Sequence, residues 1–175
     1  DVLKLKPMAP LMLPGNLEMT RYQVGTSEIK FLQNPQPLPS HTGGVRDAIG
    51  IRLLTFYLPD DGSLAERCKN HHFTAPQMVS LGEGKTKLAF VSDPDGNALE
   101  LVLLPADSPK ESFDKLAIGL TVSDAEKSRA FYGKTLGLKE LPPIDVALLG
   151  TKKYTFTHGT TTVKFWSFGN DLPKH

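Results

Sequence analysis

Hydrophobic and polar positions alternate along most of this chain, in short runs broken by Gly, Pro, Asn and Asp. Alternation with period two argues for half-buried strands, and the breakers argue for tight turns. Residues 116–122 (Leu-Ala-Ile-Gly-Leu-Thr-Val) read as a strand. Asp124 follows as a helix N-cap; Ala125, Ser128, Phe131 and Leu136 keep helical spacing, and Gly137 supplies the stop. Three further strands are predicted at 145–149, 154–157 and 161–168, separated by Gly150 and by His158-Gly159. The middle of the chain repeats this order. A strand at 49–58 is rich in Ile, Leu, Phe and Tyr. A capping box of Ser63 and Glu66 opens a helix that runs to about Asn70. Strands follow at 77–81, 87–92 and 98–104, with Asp93-Pro-Asp-Gly-Asn as the turn before the last.

The two ends of the chain are related. Residues 25–41 (GTSEIKFLQNPQPLPSH) and 159–175 (GTTTVKFWSFGNDLPKH) match at seven of seventeen positions under a shift of 134. The matches are Gly25/Gly159, Thr26/Thr160, Lys30/Lys164, Phe31/Phe165, Leu38/Leu172, Pro39/Pro173 and His41/His175. Residues 1–15 match 136–150 at five of fifteen positions under a shift of 135, which places a one-residue insertion between Gly15 and Gly25. A near-constant shift across both blocks marks an internal repeat. The expected layout is a partial unit (1–41, three strands), a complete strand-helix-strand-strand-strand unit (48–104) and a second complete one (114–173). Pro/Gly/Ser-rich linkers fall at 34–44 and 105–112. The repeat spans two units, so a longer parent of alternating units is expected, with this chain beginning inside one of them.

Composition narrows the function classes. The chain has 175 residues, 20 Lys+Arg, 19 Asp+Glu and a net charge of +1, which gives no electrostatic reason to expect nucleic acid. No apolar run approaches the ~20 residues of a membrane span. The single Cys68 forbids an internal disulfide and suits a reducing compartment, so the cytoplasm is favoured over export. There is no phosphate-loop motif, no GxGxxG after a strand, no HExxH and no nucleophile elbow. Gly82-Glu-Gly-Lys-Thr lacks the phosphate-loop spacing and reads as a connection between strands.

Two stretches carry a resemblance. Phe90-Val-Ser-Asp-Pro-Asp-Gly-Asn-Ala-Leu-Glu-Leu resembles the last hairpin of a βαβββ module of the vicinal oxygen chelate superfamily, which includes glyoxalase I, bleomycin-resistance proteins and extradiol dioxygenases. Leu116-Ala-Ile-Gly-Leu-Thr-Val-Ser-Asp, with Ser128-Arg-Ala-Phe-Tyr and Leu136-Gly-Leu, looks like that family's first strand and helix. The resemblance implies an α+β fold of paired βαβββ modules whose curved mixed sheets surround a concave pocket, here with a partial extra module at the N-terminus. In the metal-dependent members, a His on a first strand and a Glu on a last strand bind Fe, Mn, Zn or Ni. Transferred residue by residue, the His positions fall at Leu53 and Ala117. The Glu position holds Glu100 in the middle unit, Lys164 in the last and Lys30 in its repeat. One carboxylate does not hold a divalent ion against water. No cofactor is therefore expected within this chain, and a divalent metal only if its site is completed from outside.

The candidate pocket residues are Glu100, Lys164, Trp166, Lys30, Arg52 and Tyr57. Glu100 is either a solvated remnant paired with Arg52 or a lysine, or a polar anchor and the one candidate acid or base. Lys164 and Lys30 favour an anionic ligand if they face the pocket; the alternative is a lysine snorkelling at a sheet edge. Trp166 lies alongside Lys164 and opposite Phe165, as a stacking platform or as core. One of Phe56 and Tyr57 must face the pocket. His71 and His72 read as a surface helix end, His158 as a turn residue, and His41 and His175 as linker residues. Cys68 reads as core packing rather than a reactive thiol. Three functions remain open: a metal-free small-molecule binding protein, a metal-dependent dioxygenase or glyoxalase-like lyase completed by other residues, and a degenerate structural module. A homodimer or pairing with further modules would fit each.

Overall fold

The structure, a computed structural model, describes residues 2–33, 36, 43–81, 85–169 and 172–174. The chain opens with three antiparallel strands, β1 (Lys6–Leu13), β2 (Leu17–Val24) and β3 (Ser27–Leu32), which form a sheet of their own. Strand β4 (Gly50–Asp60) leads into helix α1 (Leu64–Asn70) and strands β5 (Val79–Ser80), β6 (Lys87–Ser92) and β7 (Ala98–Pro105). Strand β8 (Leu116–Val122), helix α2 (Ala125–Arg129) and strands β9 (Lys139–Val146), β10 (Thr151–His158) and β11 (Thr161–Ser167) complete the fold. Strands β4 to β11 form one curved, non-closed sheet in the order β5-β6-β7-β4-β8-β11-β10-β9. Within each half the first and last strands pair in parallel, β4 with β7 and β8 with β11. The halves join through the antiparallel pair β4–β8.

Alternation along the strands decides the two faces. Phe56, Leu58, Leu101 and Leu103 point to the side of α1 and bury Leu64 and Cys68. The three-stranded sheet adds Val24 and Ile29 to the same core. In the other half, Phe156 and Phe165 are fully buried and stack 5.7 Å apart, and Tyr132 lies 5.9 and 5.7 Å from them. Of the aromatic pair that follows Ser128, Tyr132 thus anchors the helical segment on its sheet, while Phe131 is exposed. The other face of the large sheet carries Leu53, Thr55, Glu100, Ala117, Lys164 and Trp166 and turns away from both helices.

The repeat is visible as contact. Thr26 Oγ1 and Thr160 Oγ1 lie 2.8 Å apart, and the hydroxyls of Ser27 and Thr161 are hydrogen-bonded. Each of these residues meets its own counterpart, the pattern of an isologous contact. The extra residue is Asn16: the β1–β2 turn uses Gly15 and Asn16 at φ 82° and 59°, where Gly150 at φ 61° precedes β10.

Some expectations change. Ser63 makes no side-chain cap; Asp61 accepts from the Ser63 N–H (3.0 Å) and hydroxyl (2.6 Å) instead. A carboxylate two residues upstream reaches these donors first. The predicted strand 145–149 is β9, which starts six residues earlier and yields to a 3₁₀ turn at Ala147–Leu149. Pro142 and Pro143 are tolerated because they fall in a register shift of the β9–β10 pair, between Lys153↔Ile144 and Thr155↔Leu141, on an edge strand. The predicted strand 77–81 shrinks to Val79–Ser80. Asp124 caps α2 as expected, accepting from the Lys127 N–H at 2.9 Å. His41, His175 and residues 82–84 lie outside the described residues.

Candidate functional site on the helix-free face

Register assembles the site. Thr55 lies beside Glu100 in the β4–β7 pair and opposite Ala117 in the β4–β8 pair. Leu53 lies opposite Gly119, and Gly119 lies beside Lys164. Leu53 and Ala117 therefore occupy matching places in the two halves, and so do Glu100 and Lys164. These are the four positions at which the family resemblance locates metal ligands.

What stands there is an ion pair between two hydrocarbons. The Lys164 ammonium donates to Glu100 Oε2, and the Thr55 hydroxyl donates to the same oxygen at 2.7 Å. The Lys164 and Glu100 side chains are only 10% and 13% exposed. Burial pulls the Lys164 ammonium below the ordinary lysine range, and the Glu100 carboxylate opposes that shift. Burial pushes the Tyr57 phenol up, and the Glu100 charge adds to it, so Tyr57 stays a neutral O–H.

Trp166 completes the cluster. It is buried, with the Lys164 Nζ 5.7 Å from its ring centroid. It packs on Gly119, where a Cβ would come within 3.1 Å of the indole and 2.9 Å of the Leu53 Cβ. Its indole N–H is buried and has no acceptor among the described residues. Lys164 likewise has three donors and one acceptor, Glu100, among the described residues. The face thus holds donors in excess of acceptors.

The residues do not fit a divalent metal. Two of the four positions offer no donor atom, and a third holds a cation bonded to the one carboxylate present. Among the described residues, no three or more His, Cys, Asp and Glu side chains cluster to hold a metal. His71, His72 and His158 are exposed, and Cys68 is buried in the core.

Of the expected site residues, the structure brings Glu100, Lys164, Trp166 and Tyr57 to one face. Lys30 and Arg52 line a cleft of about 480 Å³ with Phe31, Leu53, Leu54 and Asn97, between the small sheet and the large one. Lys30 lies on a sheet that no Glu100-bearing strand joins, and its exposed ammonium is 3.8 Å from Glu28. Arg52 sits at the register shift between Ile51 and Leu53, where the alternation of faces along β4 is interrupted. Sequence reasoning missed Thr55, although a hydroxyl within Leu53-Leu54-Thr55-Phe56 was a signal: a polar group in an apolar strand needs a partner.

No family model and no curated protein matches the sequence. Solved structures do match. Glyoxalase I from Zea mays aligns at 21% identity and TM-score 0.67, over 97% of this chain and 60% of the maize chain. Two point variants of the maize enzyme give TM-scores of 0.71 and 0.68 at 21% and 20% identity, over 98% and 96% of this chain and 61% of theirs. This chain thus spans about three-fifths of the length of those structures. Its strand order, its paired halves and these matches together show that it has a glyoxalase I-like fold.

Proposed function

We propose that this chain is a metal-free, glyoxalase-like module that binds a small molecule carrying acceptor oxygens on the helix-free face. One observation carries the reading: the buried Trp166 N–H without an acceptor, next to a buried ammonium with donors to spare. A buried donor left unpaired costs about 1–3 kcal/mol, and a ligand oxygen that parts the side chains covering it and pairs with it recovers that penalty. The acceptor is a carboxylate or a polarised carbonyl, because both meet a cation and an N–H without bringing donors of their own. Tyr57, as a neutral O–H, is a third donor on the same face. Glu100 orients Lys164 and acts as a positioning residue.

Trp166 is the single tryptophan, so its fluorescence reports the site directly. Titration with a panel of small mono- and dicarboxylates is expected to give saturable quenching with at least one member. Lys164→Met is expected to weaken that binding about tenfold or more, as loss of a charge-assisted hydrogen bond requires. A flat response to the whole panel, or saturation unchanged in Lys164→Met, contradicts the proposal.

A further inference from the structure

Lys164 has a second cation beside it on the helix-free face, Lys153 of β10. Thr155 of that strand lies opposite Lys164. Tyr154 turns to the other side and stacks on Phe165 at 5.4 Å. Alternation therefore returns Lys153 to the face of Lys164. The nearby register shift leaves this intact, because its extra residue belongs to β9: Pro142 and Pro143 face Tyr154 alone, between Leu141↔Thr155 and Ile144↔Lys153. Burial agrees, since Lys153 is half-buried whereas Lys152 is exposed.

The two ammoniums are within electrostatic reach of each other. Burial does most to lower the proton affinity of Lys164; Glu100 opposes that, and the Lys153 charge adds to it. Glu100 balances one of the two charges. Lys153 has no ion-pair partner among the described residues. The diagonal between such positions on neighbouring strands spans about 7–8 Å. Leu141 and Ile144, opposite Thr155 and Lys153, are exposed on the same face and supply apolar surface.

We infer, building on the small-molecule reading of this face, that Lys153 is a specificity-determining residue that selects a short-chain dicarboxylate over a monocarboxylate. One carboxylate pairs with Lys164 and Trp166. The other pairs with Lys153, and the methylenes between them lie against Leu141 and Ile144. Two separated cations reward two separated charges, and a ligand with a single carboxylate leaves Lys153 unused.

Succinate and butyrate share a chain length and differ in the second carboxylate. Quenching of Trp166 fluorescence in the intact chain gives a Kd for each at one low ionic strength. Succinate is expected to bind about tenfold or more tighter than butyrate, as one added charge-assisted hydrogen bond requires. Lys153→Met is expected to remove that preference and to leave the butyrate Kd within about twofold, because Lys164 and Trp166 still hold the first carboxylate. Lys152→Met deletes the same charge on the opposite face and is expected to keep the preference. Equal Kd values for the two acids, a preference that survives Lys153→Met, or one that Lys152→Met removes as fully, overturns the inference and leaves the small-molecule reading standing. No response to succinate also overturns the inference. No response to any member of the carboxylate panel overturns the reading beneath it as well.

Discussion

Lys164 and Lys30 stand at the same position of two copies of one sequence, and the fold treats them differently. Lys164 is buried against Glu100; Lys30 is exposed beside Glu28. Their own strands are alike: Lys-Phe follows an aliphatic residue in both. The difference comes from the neighbours across the sheet. β11 is joined to β8, β4 and then β7, which brings Glu100 to the ammonium, whereas among the described residues β3 pairs with β2 alone. A charged side chain acquires its role from strands far away in sequence, and the helix-free site exists only where the two halves meet.

The largest expected effect separates these lysines. Lys164→Met leaves Glu100 buried without its counter-charge and is expected to cost about 3–5 kcal/mol in urea unfolding. Lys30→Met is expected to change stability by less than about 0.5 kcal/mol. The double change Lys164→Met with Glu100→Leu is expected to recover most of the loss, since a well-packed apolar pair replaces a buried ion pair at little net cost. Equal effects of the two single changes would break the comparison.

The turns of the two copies give the next test. Gly25 and Gly159 share φ 57°. A Cβ at Gly25 would lie 1.9 Å from the Asp114 carbonyl oxygen, whereas at Gly159 the nearest atom is Thr26 Oγ1 at 4.0 Å. Gly159→Ala is expected to cost about 1 kcal/mol, the left-handed backbone alone. Gly25→Ala is expected to cost about 3 kcal/mol, because overpacking against a backbone atom adds to it. Thermal unfolding of the two variants measures the difference.

The smallest effect concerns how the small sheet is seated. Arg67 donates to the Val2 carbonyl at 2.8 Å and, with Lys4, pairs with Asp61. Hydrogen bonds from Ser63, then the Arg67 charge, hold the Asp61 carboxyl well below its ordinary 3.8. A carboxyl depressed by folding stabilises above its unfolded value, and that stabilisation fades as pH falls through 3.8 and below. Urea midpoints are therefore expected to fall more steeply from pH 5 to pH 3 in the parent than in Asp61→Asn. The difference is about 0.5 kcal/mol because the carboxylate is solvated.

Much of the fold was legible because its signals are local. Alternation locates β6 and β8 to the residue, and the constant shift pairs Lys30 with Lys164 from sequence alone. The residues at the four ligand positions were legible too. What could not be read was which of them meet. The Glu100–Lys164 bond joins two halves 64 residues apart through the β4–β8 register, and no local pattern encodes that register. For the same reason the sequence groups Lys30 with Lys164: its chemistry is the same, but its strand belongs to a different sheet. The capping box of Ser63 and Glu66 fails because Asp61 takes both the Ser63 hydroxyl and the Ser63 N–H that Glu66 would accept from, and spacing alone does not rank such competitors.

The most direct test of the central claim, that an ion pair occupies the ligand positions, is metal analysis after loading. The chain is saturated with Zn, Ni, Mn or Fe(II) in turn, dialysed without chelator and measured by mass spectrometry against protein concentration. The expected result is far below one metal per chain, unchanged by Glu100→Ala. One metal per chain, lost on Glu100→Ala, would contradict the account.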